Sequence, residues 1–214
     1  MTLDNSCELD KLRQHWDAKY HVTPFERLSW YQSHPQESLS LVEATGIAHN
    51  APVIDAGGGA SMLAETLVNF GYTNVTVVDC SQAALDDARL RMGASASRIA
   101  WICDDIRTFR SAKKCKLWHD RAVFHFMTSE DDRRRYLASL DACLDDDGMA
   151  IIGTFATNGP ERCSGLPVQR YDAELISGVF APSFELVSSS DARHLTPSGS
   201  TQEFAWFTFR RTNR

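Results

Sequence analysis

Val53-Ile54-Asp55-Ala56-Gly57-Gly58-Gly59-Ala60-Ser61 is the stretch on which the fold turns. A short apolar run ends in an acid and a glycine cluster follows. Met62, Leu63, Leu67, Val68 and Phe70 then fall at helical spacing until Gly71 stops the helix. A strand that enters a helix through such a turn is the opening unit of a parallel α/β sheet. Glycines there let the backbone come close to a ligand, and an acid beside them favours positive charge or hydroxyls over a pyrophosphate. The dinucleotide fingerprint G-x-G-x-x-G fails, because Met62 stands where its third glycine belongs. A P-loop is excluded, since no Gly-Lys-Ser/Thr follows.

Downstream the alternation continues. Asn74 to Asp79 is a β-branched run, Ser81 opens a helix carrying Ala84, Leu85, Ala88 and Met92, and Arg98 to Cys103 is a third strand. Lys116 to Phe124 contains a fourth strand, Glu130 to Leu144 a helix, and Gly148 to Phe155 a fifth strand. Strands apolar along their length, alternating with helices, belong to a parallel sheet covered on both faces. After a helix at Asp172 to Val179, the runs Ser183–Ser189 and Gln202–Arg211 are joined by Thr196-Pro197-Ser198-Gly199, too short for a crossover, so they pair antiparallel. Residues 1–50 read as helical cap segments, Cys7 to Tyr20 and Pro35 to Thr45, of the same domain.

The chain has 214 residues, 43% hydrophobic and 23% charged, with a formal net charge of -6. These are globular values, and a chain of this size needs no metal or disulfide staple. The acidic balance and the shortness of the basic runs (Lys113 to Lys116, Arg133 to Arg135, Arg210-Arg211) argue against a nucleic-acid partner. Six cysteines without a CxxC pair read as reduced thiols, not zinc ligands, so no metal is expected. Neither a secretion signal nor a spanning apolar run is seen, so the expected compartment is the cytoplasm, with no membrane partner.

Further acids fall where the second and third strands end. Asp79 stands about twenty residues past the glycines, where a carboxylate accepts from ribose hydroxyls. Asp104-Asp105-Ile106 offers an acid for an adenine amino group and an apolar face for its ring.

With these in place the sequence resembles the class I S-adenosylmethionine-dependent methyltransferases. The resemblance implies a Rossmann-like, doubly wound, mostly parallel seven-stranded sheet with an antiparallel C-terminal hairpin over residues 51–214, and S-adenosylmethionine as cofactor. It implies that Asp55, Ala56, Gly57 and Gly59 line the methionine end, that Asp79 and Cys80 meet the ribose, and that Asp105 and Ile106 meet the adenine, with Asp104 as the alternative acid. Trp30 joins as an aromatic neighbour of the sulfonium. Trp16-Asp17-x-x-Tyr20 with Trp30-Tyr31 is similar to a subgroup that includes lysine methyltransferases, but Trp118 to Phe126 departs from their aspartate-lysine-glycine version.

Methyl transfer needs positioning first, and a base only for a protonated acceptor. His119, Asp120 and His125, at the end of the fourth strand, are the candidate catalytic residues. Trp30-Tyr31-Gln32, the 159–171 loop, His194 and Gln202 are candidates for the acceptor pocket. The expected activity is methylation of a small molecule by a monomer or homodimer. A protein lysine is the alternative acceptor; a noncatalytic cofactor-binding module and a nicotinamide oxidoreductase are more remote readings.

Overall fold

The computed structural model describes residues 3–212, with side chains from Asp10 onward; the side chain of Cys7 lies outside the described residues. The chain opens with helix α1 (Leu3–Val22) and α2 (Gln36–Ala44), followed by β1 (Val53–Ala56), α3 (Leu63–Asn69), β2 (Val75–Asp79), α4 (Gln82–Met92) and β3 (Ile99–Cys103). Next come β4 (Cys115–Arg121), α5 (Glu130–Cys143), β5 (Leu144–Phe155), a small hairpin of β6 (Arg162–Cys163) and β7 (Leu166–Pro167), α6 (Ala173–Phe180), β8 (Phe184–Leu195) and β9 (Thr201–Arg211).

Seven strands form one sheet in the order β3-β2-β1-β4-β5-β9-β8. The first five are parallel, whereas β9 runs antiparallel to both β5 and β8. Sequence order reverses between β1 and β4, and in open α/β sheets the ligand crevice opens at such a switch point, beyond the carboxyl ends of the strands. The anticipated fold class is therefore present, including the hairpin.

Local chemistry explains the helix starts. Ser81 accepts from the Ala84 N–H, Ser129 from Asp132 and Asp172 from Leu175, capping α4, α5 and α6. Apolar cores cover both faces of the sheet. One holds Trp118, Phe124, Tyr136, Ile152 and Phe209, and the other holds Leu63, Leu67, Leu85, Leu117 and Ile151. Each such side chain stabilises the fold by about 1.5–3 kcal/mol relative to exposure.

Two differences from the sequence reading have physical causes. Strand β8 continues to Leu195, well past Ser189, because backbone pairing with β9 carries it. Its Ser188-Ser189-Ser190-Asp191 segment is exposed on the sheet edge and gives no apolar signal. The β6–β7 hairpin arises inside the 159–171 loop, with Ser164 and Gly165 at positive φ making its turn.

Candidate active site

Four successive parallel strands deliver polar residues to one edge of the sheet. Asp55 lies on β1, Asp79 ends β2, Asp104 follows β3 and Arg121 ends β4. A crevice of about 820 Å³, including its open mouth, runs past Gly57, Asp79, Cys80, Asp104, Asp105 and Ile106. Trp16 and Tyr20 of α1, Trp30, Phe126 and Cys163 complete its walls. Trp16 meets Trp30 and Phe126 edge-on at 5.8 and 5.3 Å between ring centroids, so the roof is a cluster of three aromatic rings. A second cavity of about 500 Å³ adjoins it, lined by Ser38, Asp55, Gly58, Met62, His119 and Gln32. Gly57, Tyr20, Trp30 and Arg121 line both.

The roof is fastened from the sheet side. Asp17 Oδ1 accepts from the Ser81 hydroxyl (2.6 Å) and the Ala83 N–H (3.2 Å) at the start of α4, and Arg13 Nε donates to the Cys80 carbonyl. The Trp16-Asp17-x-x-Tyr20 segment thus contributes two crevice-lining rings and one anchor. His194 Nε2 donates to the Ser29 carbonyl (2.7 Å), tying the β8–β9 hairpin to the same roof.

Neighbouring side chains explain the glycines. A Cβ on Gly57, which has φ +67°, would collide with Val123, and one on Gly58 with the Asp55 carboxylate. On Gly59, at φ +47°, it would stand 2.9 Å from Asp79 Oδ2 and 3.0 Å from the Tyr20 hydroxyl. The run therefore holds two crevice acids and one roof tyrosine at close range, a use the ligand-approach argument from sequence does not include.

Asp79 accepts from the Ser81 N–H (2.8 Å). Burial pushes its carboxyl up to about 7, with the Asp55 and Asp17 charges adding to the rise and the Ser81 hydrogen bond opposing it. Asp55 is buried and places Oδ1 2.8 Å from His119 Nδ1, while Ser38 Oγ lies 3.0 Å from His119 Nε2. With Nδ1–H donated to the carboxylate, Nε2 accepts from the serine hydroxyl. Asp55 Oδ2 has no hydrogen-bond partner.

The third-strand acids separate clearly. Asp105 is buried and its two oxygens take the Arg107 N–H and guanidinium, at 2.8 to 3.1 Å. Asp104 is half-buried, and its Oδ1 accepts the Asp105 N–H. Asp104 is therefore the acid better placed to accept from a ligand, and Asp105 anchors the loop.

The three candidate catalytic residues go to different places. His119 lines the second cavity. Asp120 is fully buried and faces away from both cavities: its carboxylate accepts from the Val123 and Phe124 N–H groups and from the Tyr136 hydroxyl (2.6 Å). Tyr136 in turn accepts from Trp118 Nε1. His125 is also fully buried, packed on Phe126 and Phe155, and neither ring nitrogen has a hydrogen-bond partner. Burial, then the charge of Arg121, pushes His125 down to about 3, so it is neutral. Strand alternation sends Asp120 into the core, and the turn after β4 swings His125 inward.

Ala56 and Gly59 line neither cavity, whereas Trp30, Cys80, Gly57 and Ile106 do. Tyr31 packs on Phe25, and Arg170 bonds the Gly159 carbonyl and Glu161, so these acceptor candidates serve local structure. Sequence reasoning did not assign Arg121, Ser38, Trp16 or Tyr20 to the site. Arg121 was recoverable as the last residue of β4, but Ser38 reaches the cavity only through the packing of α2.

Fold and crevice define an α/β protein with a ligand-sized opening at the switch point of its sheet, the place where such folds take nucleotides. Residues 53–148 match the family model described as a methyltransferase domain. The chain is 23% identical over 191 residues to EEF1A lysine methyltransferase 2 of Danio rerio, covering 82% of this chain and 76% of that one. Among solved structures it shares its fold with the Burkholderia thailandensis 1,6-didemethyltoxoflavin-N1-methyltransferase, at TM-score 0.73 and 20% identity, covering 100% of this chain and 92% of that one. It likewise resembles an S-adenosylmethionine-dependent methyltransferase of Anabaena variabilis, at TM-score 0.73 and 18% identity, covering 96% and 95%. The chain thus has the fold of the class I S-adenosylmethionine-dependent methyltransferases, and the methyltransferase-domain match falls on the part of it that carries β1 to α5. Among the described residues no helix is long and apolar enough to cross a membrane.

Proposed function

We propose that the protein transfers the methyl group of S-adenosylmethionine by in-line displacement to a small-molecule acceptor. The observation that carries this reading is the row of acids at the ends of β1, β2 and β3, with Asp79 and Asp104 in the crevice under the aromatic roof and Asp55 in the cavity that adjoins it. The residues fit the cofactor: a half-buried carboxyl at Asp79 suits a ribose diol, Asp104 with Ile106 suits an adenine, and the unpartnered buried Oδ2 of Asp55 suits an ammonium. The cofactor supplies an electrophilic methyl group on a sulfonium. The aromatic cluster of Trp16, Trp30 and Phe126 favours a cation beside it and excludes water. No base is assigned, because Asp120 and His125 are turned inward and both nitrogens of His119 are engaged.

A protein lysine is the second reading, favoured by the likeness to EEF1A lysine methyltransferase 2. Calorimetry with S-adenosylmethionine, S-adenosylhomocysteine and NADH tests the cofactor, and binding of NADH alone overturns the proposal. Release of S-adenosylhomocysteine on a panel of small amines, thiols and acids against lysine peptides separates the two acceptors.

Ribose hydroxyls donate best to an ionised Asp79, and its carboxyl titrates at about 7. Affinity for S-adenosylhomocysteine is therefore expected to be flat above about pH 8 and to fall as pH drops below about 7, approaching tenfold per pH unit. Calorimetric titrations across that range check it, with Asp79→Asn expected to remove the pH dependence. In the free protein the same group works the other way. Its folded pKa lies above the unfolded value, so its contribution to stability declines as pH rises from about 4 to about 7.

The Ser38–His119 chain holds Asp55 in place from behind. His119→Leu is expected to weaken S-adenosylhomocysteine about 5- to 30-fold, the loss of about 1–2 kcal/mol of charge-assisted bonding. Binding of 5′-methylthioadenosine, which lacks the amino-acid end, is expected to change by less than about twofold in parallel titrations.

A further inference from the structure

The acids of the site lie on the β1–β3 side of the sheet, and its half-buried cation leans the opposite way. Arg121 leaves the end of β4 with its Cζ 4.9 Å from the ring centroid of Phe204 on β9, two strands further out. Nη1 donates to the Trp30 carbonyl at 2.9 Å, whereas Nη2 is buried and bonds to nothing. Among the described residues no carboxylate forms an ion pair with this guanidinium.

The Asp55 charge, on the cavity that it shares with Arg121, reaches the guanidinium without forming an ion pair, and the other titratable groups around it carry no charge. Burial and the Arg121 charge hold His125 and His194 below the ordinary imidazole range, and burial pushes the Cys163 thiol up to about 11, so all three are neutral at pH 7. Burial draws Arg121 itself down to about 10, which leaves it charged. A desolvated guanidinium with a free N–H is costly unless an anion completes it, and its planar fork matches a carboxylate. The same residue lines both cavities, beside the apolar side chains of Trp30 and Val123.

We propose that Arg121 anchors a carboxylate on the methyl acceptor, so that the acceptor is a small acid with an apolar body. This rests on the methyltransferase reading. It deepens that reading by assigning the acceptor to the β5–β9 side of the crevice, away from the carboxylate row that faces the cofactor. The cofactor's own carboxylate is the competing source of the anion, and the test separates the two.

Protein saturated with S-adenosylhomocysteine is titrated with benzoate, phenylacetate and hexanoate and with the corresponding primary amides, followed by calorimetry or ligand-observed NMR. The acids are expected to bind at least about tenfold more tightly than their amides, the discrimination of a charge-assisted pair. In Arg121→Met that preference is expected to vanish; because the variant also loses the bond to the Trp30 carbonyl, the readout is the acid-to-amide ratio, taken with the variant saturated with S-adenosylhomocysteine at its own affinity. Arg121→Lys is expected to retain part of the preference. Equal binding of acids and amides by the wild-type protein, or no binding of the acids, overturns the assignment without recourse to any variant. A loss of S-adenosylhomocysteine affinity beyond about tenfold in Arg121→Met, with Arg121→Lys restoring it, overturns it in favour of the cofactor's carboxylate. If S-adenosylhomocysteine fails to bind the wild-type protein, the methyltransferase reading falls and takes the acceptor assignment with it. If it binds and the acids are not preferred, only the role of Arg121 falls.

Discussion

Replacing Asp79 with alanine is expected to weaken S-adenosylhomocysteine binding by at least about 100-fold, from the loss of two hydroxyl–carboxylate hydrogen bonds of about 1.5–3 kcal/mol each. The side chain occupies a confined place: Gly59 leaves room for it, Ser81 fixes one oxygen and the Tyr20 hydroxyl stands over the same glycine. Alanine leaves the Ser81 N–H without that partner, a small local cost beside the loss in affinity. Calorimetry gives the affinity and urea unfolding of the free protein gives the cost. Removing a carboxyl raised to about 7 also relieves a desolvation penalty, so the free variant is expected to gain rather than lose stability above about pH 7. Weak binding together with an undamaged fold is the expected pair of results. Affinity within about threefold of the wild type would remove Asp79 from the ribose site.

Asp120→Ala is expected to act in the reverse sense, costing about 3–5 kcal/mol of stability. It strips partners from the Val123 and Phe124 N–H groups and the Tyr136 hydroxyl, all inside the core. Against a typical domain stability of about 5–15 kcal/mol that is a large fraction. Tyr136→Phe, which deletes a single donor, is expected to cost only about 1–2 kcal/mol. Urea midpoints of the two variants, at constant m-value, check the ranking. Turnover by Asp120→Ala is expected to fall in proportion to the folded fraction. A reduced kcat in fully folded protein would restore the catalytic role that its place at the end of β4 suggests from sequence.

That reversal shows where sequence reading succeeds and where it stops. The parallel sheet was legible because Val53-Ile54, Val75 to Val78 and Met149 to Ile152 are apolar or β-branched runs and Gly57-Gly58-Gly59 interrupts the pattern where a crossover must begin. Asp55 and Asp79 were legible for the same reason, as acids ending apolar strands. Register along the turn after β4 was not. Whether Asp120 or Arg121 faces the crevice depends on alternation within the strand, and the backbone then turns at Ala122, φ +66°. Asp104 and Asp105 are chemically identical in a sequence, and only the bonds from Arg107 to Asp105 tell them apart. The Ser38–His119–Asp55 chain joins residues 81 and 64 positions apart, and no spacing rule connects them.

The aromatic roof bears on the order in which the molecule is assembled. Two of its three rings, Trp16 and Trp30, come from a segment that precedes the whole sheet, yet that segment is pinned by Ser81 and Ala83 at the start of α4, by Arg121 at Trp30 and by His194 at Ser29, the last across 165 positions of chain. That segment, made before the sheet, therefore cannot dock completely until strand β8 has emerged. Until then, a nascent chain carries the carboxylate row of β1–β3 without the cover that makes it a binding site.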